Sequence, residues 1–121
     1  MHTLRSLLLL CFSALLIALL TACDVQRRKT DAELGLNPQQ AAGRRVFDYD
    51  CARCHEAYSS KDLQGPSLEH MFKRQYLPSG LPANDDRVTE VVQYGKTHMP
   101  AFGNVLTPQQ IKDLLAYLHT L

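Results

Sequence analysis

The residues with the clearest chemistry are Cys51-Ala52-Arg53-Cys54-His55. Two thiols at i and i+3 followed at once by an imidazole form the attachment pattern of c-type haem. On one helical turn both sulfurs reach the vinyl-derived carbons at one porphyrin edge, and the histidine rises beneath the iron as an axial ligand. Cys51 and Cys54 would then carry two thioether bonds and His55 the metal. Two other readings compete for the pair. A structural zinc needs two further ligands at finger-like spacing, and the remaining cysteines, Cys11 and Cys23, lie far upstream in an apolar segment. A thioredoxin-like dithiol wants its Cys-x-x-Cys after a buried strand, whereas residues 43–50 read as helix.

The elements that must hold this pentapeptide are helical. Asn37 caps a helix with Pro38 at its first position, and Ala42, Gly43, Val46 and Phe47 form one apolar face running into the motif. A mid-helix glycine costs about 1 kcal/mol against alanine, so Gly43 marks a close crossing by another helix. The partner is the C-terminal helix, capped by Thr107 with Pro108 in its first turn. There Ile111, Leu114, Leu115 and Leu118 make a stripe with Tyr117 at its edge. Between them the pattern predicts a short helix over 67–74 and a helix over 85–94. The second is capped by Asn84, turns Val88, Val91 and Val92 inward and is stopped by Gly95. No strand or internal repeat is expected. So small a domain has little interior of its own, and a buried porphyrin would supply the rest.

The first two dozen residues stand apart. Arg5 precedes an apolar run over 7–20, too short to cross a bilayer comfortably, and Leu20-Thr21-Ala22-Cys23 closes it. Residues 1–22 read as a secretory signal, and the closing tetrapeptide resembles the bacterial lipobox, which implies lipid on Cys23. Asp24 resembles a signal for retention on the inner membrane. Residues 23–36 then form a lipidated, solvated tether of contour near 50 Å at most, with the globular domain at 37–121. The cysteines close without a disulfide. The chain carries 13 Lys and Arg against 12 Asp and Glu, a formal net charge of +1, and loss of Arg5 balances the signs. No basic block points to nucleic acid.

Residues 37–121 resemble a class I c-type cytochrome, on the pentapeptide, Gly65-Pro66 and the segment around Met99-Pro100 taken in order. The resemblance implies an all-α fold in which the N- and C-terminal helices cross at a glycine-aromatic contact, here Gly43 and Phe47 against Leu114, Tyr117 and Leu118. It implies one covalent haem c, with the Pro66 carbonyl accepting the Nδ1 proton of His55 and Leu68 packing on the haem. Ser67 stands where the family often has asparagine. Met99 is the expected distal ligand, with His98 its rival; Met71, His70 and His119 are assigned to core or surface. Arg74, Tyr76 and residues 77–82 are candidates for the propionates by position alone.

The expected function is a one-electron carrier rather than an enzyme, held on the periplasmic side of a bacterial membrane, the inner one favoured. It would dock transiently on other redox proteins at the haem edge, with no small-molecule substrate. The alternatives are a haem subunit of a larger oxidoreductase, and an open-site sensor or small peroxidase using Tyr49, Tyr58 or His98.

Overall fold

The computed structural model describes residues 28–121. The signal segment 1–22 and Cys23 lie outside the described residues. Helix α1 spans Pro38–Val46 and runs on without a break into a π-helical turn, Phe47–Cys51. A 3₁₀ turn covers Met71–Lys73, helix α2 covers Asp85–Tyr94 and helix α3 covers Pro108–Leu118. Among the described residues the only extended pairings are isolated bridges, Tyr76 with Pro82 and Lys96 with Met99. No helix of that part is long and apolar enough to cross a membrane.

Local chemistry sets the helix ends. Asn37 and Gln40 close a reciprocal capping box on α1, each side-chain oxygen accepting from the other's backbone N–H at 2.9 Å. Thr107 and Gln110 repeat the device on α3, with Pro108 in the first turn. Asn84 caps α2 by accepting from the Arg87 N–H at 3.0 Å, and Gly95, at φ 72°, ends it.

Helices α1 and α3 make the most extensive contact, and α2 leans on α3. A Cβ placed on Gly43 would lie 1.8 Å from the Asp113 carbonyl oxygen, so the backbones touch there and no larger residue fits. Beside this point the rings of Phe47 and Tyr117 meet with centroids 5.6 Å apart and planes tilted by 52°. Tyr117 sits at the centre of the core with no exposed surface, not at the edge of the stripe. A single hydrogen bond makes that possible. Its hydroxyl meets that of Tyr58 at 2.7 Å, which satisfies the one polar atom the ring carries inward.

Two further expectations are corrected. The helix predicted over 67–74 shrinks to the 3₁₀ turn at 71–73. The Ser67 hydroxyl donates to the Ser59 carbonyl at 2.6 Å and accepts from the Glu69 N–H at 3.1 Å, and His70 adopts φ 57°. These bonds and the left-handed residue compete with the helical ladder. Residues 31–36, assigned to the tether, instead form a turn on the domain. The Leu36 N–H donates to the Asp31 carbonyl at 3.0 Å, Leu36 packs against the core, and Arg44 donates through Nη1 to Asp31 Oδ1 at 2.6 Å. Arg44 is buried on α1, and the carboxylate supplies the counter-charge that its burial requires. The folded unit therefore begins at Asp31.

Candidate functional site

The π-helical turn delivers the motif. The Ala52 N–H donates to the Phe47 carbonyl at 2.8 Å, five residues back, and the His55 N–H returns to the Cys51 carbonyl at 3.0 Å. Cys51, Cys54 and His55 all line one cavity of about 460 Å³, within the size range of ligand pockets. Its walls are mostly apolar: Phe47, Leu68, Met71, Leu77, Val88, Val91, Val92, Phe102, Leu114 and Leu118. Burial first, then the nearby Asp50, Cys54 and Asp48, pushes the Cys51 thiol up to about 12. Before attachment the sulfur therefore stays protonated and uncharged at neutral pH.

His55 is held in one orientation. Its Nδ1 lies 2.7 Å from the Pro66 carbonyl oxygen, which can only accept, so Nδ1 carries a proton and the tautomer of the neutral ring is the one with its lone pair on Nε2. Gly65 makes room for the ring: an added Cβ would fall 2.4 Å from His55 Cε1 and 2.9 Å from Nδ1. The strap is fastened on both sides of the histidine, by the Gly65 N–H to the Cys54 carbonyl and the Leu68 N–H to the Glu56 carbonyl, each at 2.8 Å.

Met99 reaches the same cavity from a tight turn. The Met99 N–H donates to the Lys96 carbonyl at 2.8 Å and the Lys96 N–H to the Met99 carbonyl at 3.1 Å, with Thr97 at φ 53°. Gly95 is required twice, for its φ of 72° and because an added Cβ would lie 2.5 Å from the Met99 carbonyl oxygen. The Phe102 N–H then ties the segment to the Val92 carbonyl at 2.9 Å. Met99 is half-buried and packs on the core; His98 also borders the cavity but is exposed.

Other sulfur and nitrogen candidates sort by position. Met71 is buried and also lines the cavity, a second thioether there that the sequence reading placed only in core or surface. His70 is exposed and bonds Lys73, and His119 stacks on Phe72 at 3.8 Å and donates through Nε2 to Asp85 Oδ1 at 2.7 Å; neither borders the cavity. Of the propionate candidates, Leu77, Pro78 and Ser79 border it, whereas Arg74 donates to the Glu69 carbonyl at 2.9 Å and Tyr76 faces solvent.

An apolar cleft with two thiols and one lone-pair imidazole fits a covalently held porphyrin. The comparisons agree. The family described as cytochrome C oxidase, cbb3-type, subunit III matches residues 38–118. The chain belongs to this family, and with it to the class I c-type cytochromes. Cytochrome c6 of Rippkaea orientalis is 37% identical to it over 78 residues, covering 64% of this chain and 67% of its own. Cytochrome c6 of Parathermosynechococcus lividus is 35% identical over 78 residues, 64% of this chain and 85% of its own. That of Limnospira maxima is 36% identical over 81 residues, 64% and 88% respectively. The cytochrome thus carries covalently bound haem c and is a haem-containing electron carrier of all-α fold.

Proposed function

We propose that this cytochrome is a membrane-tethered one-electron shuttle on the periplasmic side of a bacterial membrane, with both axial positions of its iron filled by protein. The observation that carries the reading is the convergence of His55, fixed through Nδ1 by Pro66, and the half-buried Met99 on one apolar cavity. When bound, the haem supplies one-electron chemistry at iron. Cys51 and Cys54 would hold its edge through thioethers, His55 would offer Nε2, and Met99 would offer a soft sulfur that favours the ferrous state. Leu68 and the other apolar walls keep water away, which limits solvent reorganisation when the charge changes. In this reading the cytochrome serves other redox proteins rather than a substrate of its own.

Export through residues 1–22 and lipid on Cys23 would put the domain on the membrane, with Asp24 favouring the inner one. Since the folded unit starts at Asp31, the tether is Asp24 to Thr30, seven residues with a contour of about 25 Å at most. That keeps the haem within reach of membrane partners at an effective concentration in roughly the millimolar range. The description of the matched family favours one second reading, a haem subunit of a larger oxidoreductase.

Three measurements test the proposal. The mature, acid-denatured protein should have the mass of one haem and of acyl chains on Cys23; free thiols at Cys51 and Cys54 would overturn it. Ferrous wild type should bind carbon monoxide slowly and Met99→Ala rapidly, with Met71→Leu and His98→Ala like wild type. Rapid binding by wild type would instead point to the open-site sensor or peroxidase. Co-purification in fixed ratio with integral membrane subunits would favour the oxidoreductase subunit over the shuttle.

A further inference from the structure

The strap that meets His55 continues into a carboxylate. Pro66 C=O, which accepts from His55 Nδ1 at 2.7 Å, and Ser67 N–H belong to one planar, resonance-coupled amide. That N–H donates to Asp62 Oδ1 at 2.8 Å. Ser67 itself is buried, 4% exposed, and its hydroxyl donates to the Ser59 carbonyl and accepts from the Glu69 N–H, bonds separate from the one its own N–H makes to Asp62. The order is therefore carboxylate, peptide, imidazole, three hydrogen-bonded groups in a row that end on the ring nitrogen opposite Nε2.

We infer that Asp62 is a positioning residue that tunes the haem iron electronically through the Pro66–Ser67 peptide and His55. The inference rests on His55 being the proximal ligand. An anionic acceptor on the N–H draws density through the amide toward the carbonyl oxygen, because hydrogen bonds in series polarise one another and charged acceptors are the strong ones. The Pro66 oxygen then pulls harder on the Nδ1 proton. The imidazole gains density at Nε2, which stabilises ferric iron against ferrous and lowers the reduction potential. Asp62 is exposed and reached through a loop, so its charge can be removed without opening the core.

The test uses the haem-loaded full chain in wild type, Asp62→Asn, Asp62→Ala and Ser67→Ala. Potentials are read at high ionic strength, where the through-space field of an exposed charge is screened. The His55 Nδ1 proton is followed by NMR in the ferrous state. Asp62→Asn keeps an oxygen acceptor and loses the charge; Asp62→Ala loses both. The potential should rise in the order wild type, Asn, Ala. The Nδ1 proton resonance should move upfield in the same order and its exchange with solvent quicken about tenfold in Asp62→Ala. Ser67→Ala, which removes the hydroxyl bonds but keeps the N–H on Asp62, should leave potential and resonance in place. An unmoved Nδ1 resonance in Asp62→Ala overturns the relay, even if the potential changes. So does Ser67→Ala reproducing the effect, since loop stiffness alone would then account for it. Failure of the underlying reading has its own signature: His55 ring protons without the large upfield displacement of a haem-bound imidazole would overturn both.

Discussion

The crossing of α1 and α3 and the loop layer over residues 55–84 enclose the same cavity and are built on different physics. At the crossing the chain is its own interior. Gly43 lets backbone touch backbone, and Phe47, Leu114 and Tyr117 are sealed from solvent. In the loop layer the buried residues are Ala57, Ser67 and Met71, and the rest lies half or fully exposed, sewn together by backbone bonds such as Gly65 to Cys54 and Leu68 to Glu56. Apolar contact between the helices stabilises the first, although Phe47 and Leu114 also wall the cavity. The second turns its apolar side chains toward a space that haem c must fill, so its stability is bound up with the cofactor.

The largest effect should come from removing the attachment. With Cys51→Ala and Cys54→Ala together, amide-exchange protection should vanish across residues 55–84 and persist in part at α1 and α3, with cooperative melting lost. Equal loss in both regions would break the contrast. Gly43→Val attacks the other side: the added carbons meet the Asp113 carbonyl, and the loaded protein should lose about 3 kcal/mol, read by denaturant titration. A loss as small as that of a surface change would mean that the crossing is looser than its geometry.

A smaller effect tests the polar bond inside the crossing. Burial, then the bond to Tyr58, raises the pKa of Tyr117 above its ordinary 10.0. The folded state therefore keeps a proton that the unfolded state releases. The associated stability is complete below pH 10 and declines as pH rises beyond it. Tyr117→Phe should cost ~1 kcal/mol at neutral pH and flatten that alkaline decline, measured by unfolding at stepped pH. The smallest effect is expected from Asp31→Ala, below ~1 kcal/mol, because the carboxylate is partly exposed and that of Asp48, 3.9 Å from Arg44, remains as a counter-charge. It should free residues 31–36 to proteolysis while leaving the haem spectrum unchanged. A spectral change would tie the N-terminal turn to the loop layer.

Much of the crossing could be read from single residues. Asn37 with Pro38 and Thr107 with Pro108 announce the helix starts, and the spacing of Ile111, Leu114, Leu115 and Leu118 announces the buried face. Tyr117 could not be placed, because a tyrosine goes to the centre only if something meets its hydroxyl, and Tyr58 lies 59 residues away. Nothing in the local pattern marks Arg44 for the interior; its burial depends on Asp31, thirteen positions back. The loop layer was harder still. The stretch 67–74 had a plausible helical pattern, and the bonds made by Ser67 defeated it.

What the sequence determined alone is local: the chemistry of Cys51, Cys54 and His55, the caps, the helix faces and the glycine at the crossing. Each depends on neighbours within a turn or on the absence of one side chain, so spacing suffices. The tertiary structure decided which sulfurs and imidazoles share the cavity with His55, that Met71 enters it beside Met99, and that a carboxylate at Asp62 stands behind the Pro66 carbonyl. Those outcomes turn on where buried polar atoms and cavity walls find partners from distant segments. Desolvation makes an unmatched group costly, and composition or spacing along the chain does not record which distant group will match it.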